Sequence, residues 1–235
     1  MGIIKAKQKK LDGINTIAIL ADCGCVRDWE EHFPGLLAKV WQDYKPQLFI
    51  VVGDISLQGS FLNYRMILKY MNNVSADWIA VPGNHDRPLL VFRKYFGAVR
   101  KVIDIGKWRF IGLNTAEKKF TERNARWLEK NIRENTIIFS HTPPGIEGWT
   151  FYSLPVESSR RFLETVKRNC QMIKKIFFGH IHGLSEKEFM GIPMIVTGGA
   201  AKSRVIKNNK YNEDTSLEMI IFDVPSGDIE IYNMK

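Results

Sequence analysis

The sequence predicts an α/β fold with its chemistry gathered at the ends of parallel strands. Three observations carry this expectation. Short β-branched runs alternate with segments of helical periodicity over most of the chain. Five of those runs stop at aspartate, asparagine or histidine. The last third changes to strand-and-turn composition without helical periodicity.

The elements follow in order. Ile14 to Leu20 is an apolar run ending at Ala21-Asp22-Cys23-Gly24. Phe33-Pro34-Gly35 opens a helical pattern, with proline suited to a first turn and Leu36, Leu37, Val40 and Trp41 on one face. Leu48 to Val52 is a second strand, ending at Gly53-Asp54. Ser60 caps a helix carrying Phe61, Tyr64, Leu68 and Met71. Trp78 to Val81 is a third strand, running through Pro82 into Gly83-Asn84-His85-Asp86, and Pro88 to Phe96 is a short helix. Val99 to Ile105 and Trp108 to Asn114 form a hairpin across Gly106-Lys107. Thr121 caps the next helix, in which Glu122 and Arg126 pair at i,i+4. Thr136 to Phe139 leads to Ser140-His141. A long loop with Trp149, Phe151 and Tyr152 follows, then a helix from Ser159 to Lys167. Ile176 to Phe178 leads to Gly179-His180-Ile181-His182. Glu188 to Met190, Met194 to Thr197, Leu217 to Phe222 and Ile229 to Tyr232 read as an antiparallel meander, interrupted by a polar loop from Ala201 to Asp214.

Composition bounds the function. The 235 residues, 45% hydrophobic and 11% aromatic, suffice for one sizeable core. Residues 1–12, with Lys5, Lys7, Lys9 and Lys10, read as a solvated polar tail, and 13–235 as a single domain. The net charge of +9 favours anionic partners: a phosphorylated small molecule, a nucleotide-like substrate or a nucleic acid. No apolar run approaches the roughly 20 residues that span a bilayer, so no membrane partner is expected. Three cysteines, Cys23, Cys25 and Cys170, are too few and odd in number for a disulfide framework. With no secretory signal, they point to a reducing, cytoplasmic compartment.

The five strand ends deliver Asp22; Asp54; Asn84 with His85; His141; and His180 with His182. In a sheet with those strands parallel they would meet at one edge, where open α/β sheets bind ligands. Each piece alone is ordinary, since Gly-Asp after a strand is usually a turn. Five such ends in one chain, using four of its five histidines, outweigh that reading. Carboxylates, an amide oxygen and imidazoles suit Mn, Fe, Zn or Co rather than Ca or a soft metal. Two ions about 3.5–4 Å apart need a bridging carboxylate, and Asp54 is placed for it. Glycines at positions 53, 83 and 179 let the chain turn sharply before the ligand groups.

Gly53-Asp54, Gly83-Asn84-His85-Asp86, Ser140-His141 and Gly179-His180-Ile181-His182 together resemble the successive motif blocks of the calcineurin-like metallophosphoesterases. The resemblance runs from Asp22 to about Gly199. It implies a four-layer α/β/β/α sandwich with a mixed central pair of sheets and two divalent or trivalent transition-metal ions. By the family pattern, Asp22, Asp54 and His182 would hold the first ion. Asp54, Asn84, His141 and His180 would hold the second. His85 would be the acid beside the leaving group, with Asp86 behind its ring. The implied activity is hydrolysis of a phosphate ester, a phosphodiester by preference, through a metal-bridging hydroxide. Arg27, Asn84 and His85 are the candidate substrate contacts.

One block departs from the family. Asp-x-His is usual at the first strand end, and here Gly24 stands where the histidine would be. The purple acid phosphatase branch supplies a tyrosine from the second block instead, at the position of Leu57 here. Water, Cys25 or Gln58 remain as ways to complete the first site, while Cys23 and Cys25 read first as ordinary small packing residues. Two alternatives stay open: a degenerate fold serving as a binding or scaffolding module, and a nuclease.

Overall fold

The structure, a computed structural model, describes residues 2–25, 28–150, 152–199, 204–207, 210–213 and 217–234, the segments 204–207 and 210–213 by backbone alone. Two mixed sheets face each other, with helices on both outer faces, giving the α/β/β/α sandwich. The first sheet has the order β14-β13-β2-β3-β4, with β2 Thr16–Leu20, β3 Leu48–Val52, β4 Asp77–Val81, β13 Leu217–Asp223 and β14 Ile229–Met234. The second has the order β1-β5-β6-β7-β8-β10-β9. Its strands are β1 Gln8–Leu11, β5 Lys101–Ile105, β6 Trp108–Leu113, β7 Thr136–Ser140, β8 Ile173–Phe178, β9 Ser185–Phe189 and β10 Ile192–Val196.

The continuous apolar runs make sense because both faces of each central strand are covered. Ile17, Ile19, Ile50, Val52, Ile79 and Val81 point between the sheets, where they meet Phe110, Phe139, Phe177 and Ile195. The alternate residues Ala18, Leu20, Phe49, Val51, Trp78 and Ala80 point outward. There they pack under α1 Trp29–Tyr44, α2 Phe61–Met71 and α3 Leu89–Phe96. On the opposite outer face, α4 Glu122–Asn131 and α5 Val156–Arg168 place Leu128, Phe162 and Val166 over Ile111, Ile138 and Ile176. Ser60 and Thr121 cap α2 and α4 as expected, each accepting from the backbone N–H three residues on.

Four expectations are corrected. The polar N-terminal stretch is built into the fold. Its backbone pairs with Trp78 at residues 2–4, and β1 then adds in parallel to β5, so it crosses from one sheet edge to the other. Its lysines lie exposed along an edge strand, where charge is compatible with pairing. Helix α1 begins four residues before Phe33 and encloses Pro34, which forgoes one internal hydrogen bond. The C-terminal strands are not one meander: β9 and β10 pair in one sheet, β13 and β14 in the other. Within the stretch read as a polar loop, Arg204–Lys207 and Lys210–Glu213 pair as the two-stranded ribbon β11-β12.

Candidate metal centre

The five strand ends do converge, but from two sheets rather than one. Asp22, Asp54 and Asn84-His85 follow β2, β3 and β4, which are mutually parallel. His141 and His180-His182 follow β7 and β8, parallel neighbours in the facing sheet. Asp22, Asp54, His180 and His182 all have positive φ, between 49° and 73°. Left-handed backbone at a non-glycine residue costs free energy and recurs at functional sites.

Each aspartate spends one oxygen on the backbone and offers the other. Asp22 Oδ2 accepts from His180 N–H at 2.9 Å, and Asp54 Oδ1 accepts from His85 N–H at 2.8 Å. Asp54 Oδ2 is left 3.1 Å from His141 Nε2, and Asp22 Oδ1 3.5 Å from His182 Nε2. His141 Nδ1 donates to the Val52 carbonyl at 2.9 Å, which turns Nε2 inward. Gly83 is required here, because a Cβ at that position would overlap Asp54 Oδ1.

Asp22 Oδ1, Asp54 Oδ2, Asn84 Oδ1, His141 Nε2 and His180 Nε2 are all buried without an aligned hydrogen-bond partner. Buried polar atoms left so are costly, and such atoms gathered at neighbouring strand ends fit cations. Two groups have the reach for one: Asp54, His141 and His180; and Asp22, Cys25, Asp54 and His182. Within each, the ligand atoms lie within 4.8 Å of one another, and Asp54 is common to both. The electrostatics agree. Burial works to discharge His141, yet the Asp54 carboxylate raises it to about 9, while burial and then His141 push His180 down to about 2. Burial likewise opposes charge on Asp54, but His141 holds it down at about 2. The carboxylates thus draw positive charge into a site where His180 presents a neutral ring.

His85 and Asp86 part company. His85 Nδ1 donates to the Leu57 carbonyl at 2.9 Å, leaving Nε2 for the cavity. Asp86 is fully buried and turned away. It accepts from Ile55 N–H at 3.1 Å, Gly83 N–H at 2.9 Å and the Tyr64 hydroxyl at 3.1 Å. The expectation that Asp86 backs the His85 ring is therefore corrected: the loop turns its carboxylate toward unpaired backbone donors, and Asp86 ties the Asp54 and Asn84 loops together. Burial, then Asp54, raises its pKa to about 7.

A cavity of about 240 Å³ opens beside these groups, lined by Asp54, Asn84, His85, Lys118, Tyr152, His180, Ile181 and His182. Lys118, at positive φ on the loop after β6, brings a cation that no sequence motif marks. The aromatic loop divides. Trp149 is core, its Nε1 donating to Ser185 Oγ at 2.9 Å, whereas Tyr152 meets His180 edge-on at 6.0 Å. Arg27 and Phe151 lie outside the described residues. Gln58 is exposed.

The family profile for calcineurin-like phosphoesterase matches residues 16–184, and the chain belongs to that family. The family uses a dinuclear metal site, for which the cluster described above is the candidate. A Synechococcus relative named a probable cyclic nucleotide phosphodiesterase is 27% identical over 166 residues, 63% of this chain. The match spans 64% of that relative, just under two thirds of its length. A Nostoc protein named a 3',5'-cyclic-nucleotide phosphodiesterase is 24% identical across 77% of this chain and 68% of its own. A dimetal phosphatase from Danio rerio shares the fold, with a TM-score of 0.66 over 94% of this chain and 99% of that one, at 14% identity. No helix among the described residues is long and apolar enough to cross a membrane.

Proposed function

We propose that the chain is a metal-dependent phosphodiesterase acting on a small, nucleotide-like phosphodiester. The carrying observation is the pair of ligand groups joined at Asp54, with Asp54, Asn84 and His180 lining an open cavity beside His85. Asp22, Asp54 and His182 would hold one ion, and Asp54, Asn84, His141 and His180 the other. Bound there, two transition-metal ions such as Mn, Fe, Zn or Co would neutralise phosphoryl charge and make water a competent nucleophile near neutral pH. His85 is the general acid: its Nδ1 is held by the Leu57 carbonyl, so Nε2 gives the proton to the departing oxygen. Asn84 and Lys118 line the same wall and orient the anionic group. Asp86 positions the Asp54 loop and touches no substrate.

The names of the cyanobacterial relatives support the diester preference. A cavity of about 240 Å³ supports a small substrate over a nucleic-acid duplex. A binding or scaffolding module would have no reason to hold a histidine with its free nitrogen toward the cavity. The test is hydrolysis by metal-free and Mn-reconstituted protein of an aryl phosphodiester, a 3',5'-cyclic nucleotide, an aryl phosphomonoester and single-stranded DNA. Turnover should appear only with metal and be fastest on a diester of low mass. A fully metallated protein inert to the whole panel overturns the proposal, and preferential DNA cleavage replaces it with the nuclease.

A further inference from the structure

We propose that Cys25 is a thiolate ligand of the first metal ion, supplying the donor that Gly24 cannot. The inference rests on the two-metal reading above and concerns a residue which that reading leaves unused. Cys25 Sγ lies 3.4 Å from His182 Nε2, and it falls within 4.8 Å of ligand atoms of Asp22, Asp54 and His182. Asp22 Oδ1 and Asp54 Oδ2, in the same group, are buried without an aligned hydrogen-bond partner, facing the rings of His182 at 3.5 Å and His141 at 3.1 Å.

The two cysteines of the Cys-x-Cys pair behave differently. Cys23 sits in the apolar cluster beneath the first-sheet helices, its thiol directed at the Ile55 carbonyl at 3.8 Å. Cys25 is 5% exposed and belongs to none of the three apolar clusters, and its thiol is directed at the Asp22 carbonyl at 3.4 Å as well as at His182. Apolar packing holds the first thiol, whereas the second sits among the ligand atoms of Asp22, Asp54 and His182.

Gly24 explains why the donor moved one residue along. A Cβ at position 24 would collide with the Ile55 carbonyl oxygen, so the loop after β2 runs too close to the loop after β3 for any side chain there. With the next residue the chain swings back over the cluster, and a short thiol reaches where a longer imidazole is usual. On binding, the Sγ–H proton passes to solvent as the sulfur–metal bond forms, with no change in oxidation state. A set of two carboxylates, one imidazole and one thiolate is softer than the Asn-and-imidazole set opposite, so the first position should favour Zn, Fe or Co over Mn.

Reconstitution of the chain with cobalt(II) tests this without reference to turnover. The expected result is a near-ultraviolet sulfur-to-cobalt charge-transfer band in the wild type. The band should persist in Cys23→Ala and Cys170→Ser and vanish in Cys25→Ser. Cobalt affinity at the weaker position of Cys25→Ser should fall at least about tenfold. No such band in the wild type, or one that survives Cys25→Ser, overturns the inference. If Cys25→Ser does not fold, the wild-type band and its persistence in the other two variants decide. A protein that shows the band but hydrolyses no phosphodiester refutes the proposed activity and leaves Cys25 as a ligand.

Discussion

The two halves of the cluster are built by different means. Around His141 and His180 the donors are fixed by strand ends: His141 is fully buried, and its Nδ1 is anchored to the Val52 carbonyl at 2.9 Å. Asp22 and His182 also follow strand ends, but this half is the more open one. The His182 side chain keeps 26% of its surface, and the residue next but two after Asp22 brings sulfur into reach. Strand register leaves a side chain few choices, whereas a loop can move a donor by one residue when a neighbouring carbonyl fills its place.

Asp54 is the one residue common to both halves, so its loss should do most damage. Asp54→Ala is expected to lower phosphodiester turnover by about a thousandfold or more and to remove both ions, read by kinetics and by metal content. An Asp54→Ala protein that keeps one ion at full occupancy would show the halves to be independent. His85→Ala touches neither half. It should slow turnover by about a hundredfold or more while metal content stays at the wild-type level. Equal loss of metal in that variant would make His85 a structural residue.

Gly24→His asks whether the family's usual donor can be restored to the more open half. It should instead destabilise the fold by about 1–3 kcal/mol in denaturant unfolding, because the added Cβ meets the Ile55 carbonyl. A stable Gly24→His protein with tighter metal binding would show that the loop has room and that Cys25 is dispensable. Tyr64→Phe is the mildest probe. It removes one hydrogen bond to the buried Asp86 and should cost about 0.5–1.5 kcal/mol with little change in metal content.

The difference between the halves also governs what could be read from the chain. Runs such as Leu48–Val52 and Trp78–Val81 announce buried strands, and the polar residues after them are then at strand ends, so Asp22, Asp54, Asn84, His85, His141, His180 and His182 are legible as a set. Their division between two sheets was not legible from those runs, because strand pairing is a long-range property; the four-layer arrangement came only with the family resemblance. The orientation of Asp86 was also hidden. Adjacent residues in a turn need not face each other, and three backbone and hydroxyl donors claim its carboxylate. Lys118 is distant in sequence from every motif and reaches the cavity only through the loop after β6. The N-terminal lysines misled in the opposite way. Their charge suggested solvation, but an edge strand can expose its side chains and still pair its backbone.

The most direct test of the account is the metal content of the purified chain after reconstitution and removal of free ions, measured by elemental analysis against protein concentration. Two joined ligand groups sharing Asp54 predict two ions per chain. A reproducible value of one would leave one of the two groups without its metal, and a value near zero would contradict the metal centre as a whole.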